Sequence, residues 1–87
     1  MSEVVVHRRV MRYLSRLSQA DLARLRTALA RLAENPTTYP GVVAMAGEWT
    51  GYCRIRVGEL RVIFWYDRQD DVVYVDHIGP RGDVYKQ

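Results

Sequence analysis

The stretch GYCRIRVGELRVIFWYD, residues 51–67, carries Arg54, Arg56 and Arg61 on two short runs in which apolar and polar residues alternate. Alternation at period two marks a half-buried β-strand. Cys53, Ile55 and Val57 then share one face with Leu60, Val62 and Phe64, while the three guanidiniums fall on the other. Like charges placed together on a sheet repel one another. Their clustering is tolerable where a polyanion sits, because phosphate oxygens turn the repulsion into charge-assisted hydrogen bonds. The same cluster suits phosphoryl transfer, in which charge grows on the non-bridging oxygens at the transition state. A face that merely binds something acidic is the plainer account of the same residues.

Other chemistry is poorly supplied. There is no Walker loop, no pair of metal-binding carboxylates, and no Ser/His/Asp or Cys/His set at a favourable spacing. One cysteine, Cys53, excludes an internal disulfide, and with only two histidines the usual Cys/His zinc spacings cannot be built. No metal and no other cofactor is expected. Cys53 alternates with Arg54 and Arg56 and so should point into the core. His77, at the end of the run VVYVDHI, is a candidate proton carrier of the kind ribonucleases use, with a purely structural histidine as the alternative. His7 is less well placed. Lys86 is the single lysine; every other basic residue is arginine, and the formal net charge is +3. Arginine suits bidentate phosphate contacts and stacking, although a GC-rich coding preference produces the same bias.

These residues need a scaffold. The chain has 87 residues, 48% hydrophobic and 26% charged, which specifies one folded domain spanning 1–87 near the lower size limit for a self-sufficient core. Neither a signal peptide nor a long apolar run is present, so a soluble, cytoplasmic protein without membrane contact is expected. EVVV, residues 3–6, reads as a short first strand. Val10, Leu14 and Leu17 then fall on one helical face, and Leu22, Leu25, Leu29 and Leu32 on another, with Ser18 as the cap between them and Pro36 as the stop. Residues 35–41, NPTTYPG, form a loop. VVAMAG is either a short strand or an extended linker, and period-two alternation begins near Trp49. Gly58-Glu59 suits a type II′ hairpin turn, DRQDD a second turn, and VVYVDHI a last strand. The predicted architecture is α+β: a short N-terminal strand and a helical hairpin packed on one face of a curved antiparallel sheet. The arginines would lie together on the open face.

The run YCRIRVGELRVIFWYD followed by VVYVDHIGPRGDVYK resembles the RelE/ParE toxin superfamily of bacterial type II toxin–antitoxin pairs. The likeness spans nearly the whole chain, including the upstream helical hairpin ending in ENP, and implies a RelE-like fold of two helices on a curved sheet. RelE-like members cleave mRNA in the ribosomal A site without metal. On that resemblance Arg54 and Arg56 match the two basic residues of the family's first hairpin strand, Arg61 the arginine of the return strand, Arg81 the arginine of its G-x-R motif, and Tyr85 the closing tyrosine. The implied function is a ribosome-dependent endoribonuclease. In it Tyr85, its pKa lowered by neighbouring cations, is the first choice of general base and His77 the reserve. Trp65, His77 and Lys86 would contact RNA, Trp65 by stacking on a base. Ribosome, mRNA and a cognate antitoxin are the implied partners, the last in a hetero-oligomer. Arg stands where the best-known RelE-type enzymes carry Lys, so neither Arg54 nor Arg56 can give up a proton. Pro80 replaces the usual His or Lys before the motif arginine. ParE-like members share the fold but poison DNA gyrase, which is the alternative reading, beside an inactive binding relative.

Overall fold

In the computed structural model, which describes residues 1–80, the chain runs β1 (Glu3–Val6), α1 (Arg8–Leu14), α2 (Gln19–Glu34), β2 (Val43–Ala44), β3 (Cys53–Val57), β4 (Leu60–Asp67) and β5 (Val72–Pro80). Ser18 caps α2 as expected: its Oγ accepts from the Asp21 N–H at 3.1 Å, and Asp21 lies in the helix's positive first turn. The β3–β4 hairpin closes through Gly58 at φ +60°, with no positive φ at Glu59. That combination belongs to type II′ and not type I′. Trp49 departs from the strand expectation. It ends a one-turn 3-10 helix, Gly47–Trp49, set between Gly47 and Gly51, whose φ values of +67° and +96° interrupt extended backbone.

The five strands form one sheet in the order β1-β5-β4-β3-β2. It is mixed, which corrects the expectation of an antiparallel sheet. β1 pairs in parallel with β5 while the other neighbours are antiparallel. Nothing local in EVVV could reveal this, because its partner lies about 70 residues along the chain and the whole helical hairpin intervenes. α+β architecture itself stands as read. Val10, Leu25, Ala28 and Leu32 pack from the helices onto Ile55, Val57, Leu60, Val62, Phe64, Val73, Val75 and Ile78. Those strand residues include five of the six assigned to the core face; the sixth, Cys53, is half-buried against the cluster, and burial pushes its thiol pKa up. Among the described residues no helix is long and apolar enough to cross a membrane.

The sheet's β1 end is fastened by one carboxylate. Asp71 Oδ1 accepts from Ser2 Oγ at 2.5 Å and from the Tyr66 hydroxyl at 2.6 Å, and the Asp71 carbonyl accepts from the Glu3 N–H at 3.1 Å. Asp71 sits at φ +56°, a left-handed conformation that Asp and Asn tolerate better than most residues. The hydrogen bond from Ser2, then that from Tyr66, holds the Asp71 carboxyl below its ordinary 3.8. A carboxyl whose folded pKa is depressed stabilises the fold fully above its unfolded value, and loses that contribution as pH falls through the folded one. Asp71→Asn should therefore be less stable than wild type at neutral pH. Urea midpoints measured between about pH 5 and pH 2 should converge as the acid is added; a gap that stays constant would remove the ionised latch.

Candidate functional site

The register of β3, β4 and β5 lays out the sheet face opposite the helices in rows. Arg56 stands directly across from Arg61, and Arg61 across from Gly79. One step along, Arg54 is across from Ile63, and Ile63 across from His77. A further step reaches Trp65 and Tyr74, whose rings stack at 4.6 Å with 16° between their planes. Sequence alternation had placed Arg54, Arg56, Arg61 and Trp65 on this face, and the register groups them there. Arg56 and Trp65 are exposed, while Arg54 and Arg61 are half-buried. Arg56 also borders a groove between α2 and β3, together with Arg24, Arg31 and Tyr39. Arg81, Tyr85 and Lys86 lie outside the described residues.

This face is less open than expected. Ile63 has 0% exposure although it points away from the helices. The Trp49 ring explains how. It meets His77 of β5 edge-on at 4.9 Å and Tyr52, just before β3, edge-on at 5.2 Å. Since β4 lies between β5 and β3, the indole spans β4 at the level of Ile63. Trp49 was not among the sequence-derived site residues. Its Gly-rich setting, AGEWTG, offered the one signal that the indole leaves the strand pattern.

His77 reaches this face through a β-bulge. Phe64 pairs with Val75 but Ile63 pairs with His77, so Asp76 is the extra residue in β5. Strict alternation from Val73 and Val75 would have turned His77 toward the helices and Ile78 outward. The bulge reverses that parity: Ile78 is buried in the core and His77 joins the arginine side. β1 ends opposite Val75, where the His7 N–H donates to the Val75 carbonyl at 3.0 Å, leaving the edge of β5 uncovered from Asp76 onward. Arg9, in the first turn of α1, reaches past that end. Its Nη1 lies 3.5 Å from His77 Nε2, and its Nε donates to His7 Nδ1 at 3.2 Å. Asp76 Oδ2 lies 3.7 Å from the same His77 Nε2. Burial first, and then the Arg9 cation, holds the His77 pKa below its ordinary 6.5, with Asp76 pulling the other way. Among the described residues no three His, Cys, Asp or Glu side chains gather as a cation site requires.

A helical hairpin on one face of a five-stranded mixed sheet is the fold of solved RelE toxin structures. The chain belongs to the family described as the ParE toxin of the type II toxin–antitoxin system parDE, whose model matches residues 4–85. It is thus a toxin of a type II toxin–antitoxin system. Among solved structures it is similar to a chain of the archaeal RelE–RelB complex from Pyrococcus horikoshii, at 28% identity and TM-score 0.81 over 94% of this chain and 97% of that one. The toxin–antitoxin complex RelBE2 of Mycobacterium tuberculosis shares the fold at 21% identity and TM-score 0.80, over 92% and 98%. Isolated Escherichia coli RelE toxin shares it at 18% identity and TM-score 0.78, over 98% and 92%. No curated protein matches the chain.

Proposed function

We propose that this toxin is a ribosome-dependent, metal-independent endoribonuclease that cuts mRNA in the ribosomal A site. The observation that supports this reading is the arginine face, where Arg56 and Arg61 oppose each other and Arg54 and His77 occupy the adjacent row. The 2′-hydroxyl of the RNA attacks the neighbouring phosphorus and the 5′ oxygen leaves, giving a 2′,3′-cyclic phosphate. Arg54, Arg56 and Arg61 hold the scissile phosphate and balance its growing charge. Arg81 neutralises the leaving oxygen. Tyr85 is the first choice of general base for the 2′-hydroxyl proton, with His77 in reserve. Trp65 offers a ring on which a base can stack beside the arginines, and Lys86 adds a phosphate contact.

The described surface holds open grooves, so alignment of the reacting atoms falls largely to the ribosome. A cognate antitoxin is the second partner. Its support lies in the similar structures from P. horikoshii and M. tuberculosis, which are toxin–antitoxin complexes. In a hetero-oligomer it would cover the arginine face or the helical hairpin through an amphipathic helix or an added strand.

The family match to ParE favours a second reading, a gyrase poison that cuts no RNA. Parallel assays of A-site mRNA cleavage and gyrase supercoiling separate the two. Under the nuclease reading, Arg61→Ala lowers single-turnover cleavage by about a hundredfold, roughly 3 kcal/mol, as loss of one oxyanion donor does elsewhere. Its circular dichroism stays that of the wild type. Supercoiling inhibition by a wild-type protein that leaves mRNA intact would establish the second reading instead.

A further inference from the structure

We infer that the outward face of the Trp49 indole is the stacking platform for the RNA base next to the scissile phosphate, with the rings of His77 and Tyr52 as its side walls. This rests on the nuclease reading and adds to it a residue that positions the substrate. The indole meets one ring on each side of β4 and is perpendicular to both: His77 at 4.9 Å and 87°, Tyr52 at 5.2 Å and 89°. Between those rings Ile63 is 0% exposed, although it points away from the helices. An indole laid flat on β4 accounts for both facts. Its inner face covers Ile63, and its edges run to the flanking rings. Trp49 itself is only half-buried, so its outer face is open. A flat aromatic floor between two upright rings suits another flat aromatic body, a nucleobase.

The platform stands where a base attached to the bound phosphate has to go. Ile63 shares its row with Arg54 on one side and His77 on the other, and Arg61 is two residues before it on β4. Two residues of strand span about 7 Å. A phosphate held by Arg54 and Arg61 therefore has the indole beside it. Trp65, stacked on Tyr74 at 4.6 Å, lies two residues beyond Ile63, roughly 7 Å further along β4. Successive bases of an extended single strand can thus take one platform each while the arginines hold the backbone. A protein segment could meet the same arginines, but it has no use for a flat floor between perpendicular rings.

The indole is in place before RNA arrives. The Trp49 N–H donates to the Ala46 carbonyl at 3.2 Å, and the Trp49 carbonyl accepts from the Tyr52 N–H at 2.9 Å. The Thr50 hydroxyl donates to the Gly47 carbonyl at 2.7 Å, closing the turn that carries the ring. A platform fixed in advance spares the entropy of ordering it on binding.

The test is a cycle between protein and RNA. Trp49→Phe keeps an aromatic face, whereas Trp49→Leu keeps apolar cover over Ile63 without one; a urea titration checks that each folds. Single-turnover cleavage on programmed ribosomes is measured with intact mRNA and with mRNAs carrying one abasic nucleotide at each A-site codon position in turn. In the wild type, one abasic position should slow cleavage by about 5- to 150-fold, the worth of one base–aromatic stack. Trp49→Leu should lose about as much on intact mRNA and nothing further at that position. Trp49→Phe should recover most of the loss. A Trp49→Leu that cleaves at the wild-type rate, or losses that add at every position, would make Trp49 a cover for Ile63 and overturn the inference with the nuclease reading intact.

A second measurement needs neither cleavage nor a folded Trp49→Leu. The chain has two tryptophans, so Trp65→Phe leaves Trp49 as the single indole. Single-stranded oligoadenylate, 2′-O-methylated so that it cannot be cut, should quench its fluorescence, and an abasic strand of the same length should not. Quenching by both strands alike, or by neither, overturns the platform. A wild type that cleaves no mRNA, with Trp49 quenched by the base-bearing strand alone, defeats the nuclease reading and leaves the platform as an RNA-binding site.

Discussion

Tyr85→Phe slows the chemical step of RNA cleavage by about two to four orders of magnitude, the usual contribution of a positioned general base, while the toxin still binds the ribosome. The substitution deletes one hydroxyl and keeps the ring. A base must shed its proton to act. Wild-type cleavage should therefore rise with pH towards the phenol's pKa, and that limb should vanish in Tyr85→Phe. His77→Ala is the matched control, expected to be mild. Cleavage abolished in His77→Ala while Tyr85→Phe stays active would assign the proton to the imidazole. Unchanged cleavage in Tyr85→Phe would confine the tyrosine to a positioning role.

Phe64→Ala should cost about 3–5 kcal/mol of folding stability. Phe64 is fully buried, and it sits at the centre of the cluster shared by helices and sheet. Small domains hold only about 5–15 kcal/mol in total, and a chain of this size lies toward the low end. A large part of the population is therefore expected to unfold at 37 °C. The measurement is a urea titration of wild type and variant: the midpoint should drop sharply with little change in slope. The same substitution should leave the arginine face chemically intact in whatever fraction remains folded. Cleavage should thus fall in proportion to the folded fraction and recover on cooling. A loss below about 1 kcal/mol would mean the core collapses around the cavity more readily than native packing allows.

Much of this protein was written locally. Ser18 before a helical run, Pro36 after it, and Gly58-Glu59 between two alternating stretches specify caps, a stop and a turn through interactions a few residues long. Alternation in CRIRV and LRVIFWYD likewise separated the arginines from Ile55, Val62 and Phe64, because the pleat ties parity of position to face. What lay beyond the sequence depends on partners far apart in the chain. The parallel pairing of β1 with β5 joins residues about 70 apart and has no local signature. The Asp76 bulge exists because β4 fixes both Phe64 against Val75 and Ile63 against His77, and only that pairing turns the imidazole to the arginines. The apolar Val75 and Ile78, three apart, were the trace it left in the sequence. Trp49 crosses the sheet face because two glycines release it from the strand and three-dimensional packing brings it to Ile63 and His77. Charge and alternation thus determined which residues could meet a phosphate. The tertiary structure decided that the His77 imidazole stands beside them, since a side chain's face in a sheet follows local parity only until a non-local register breaks it.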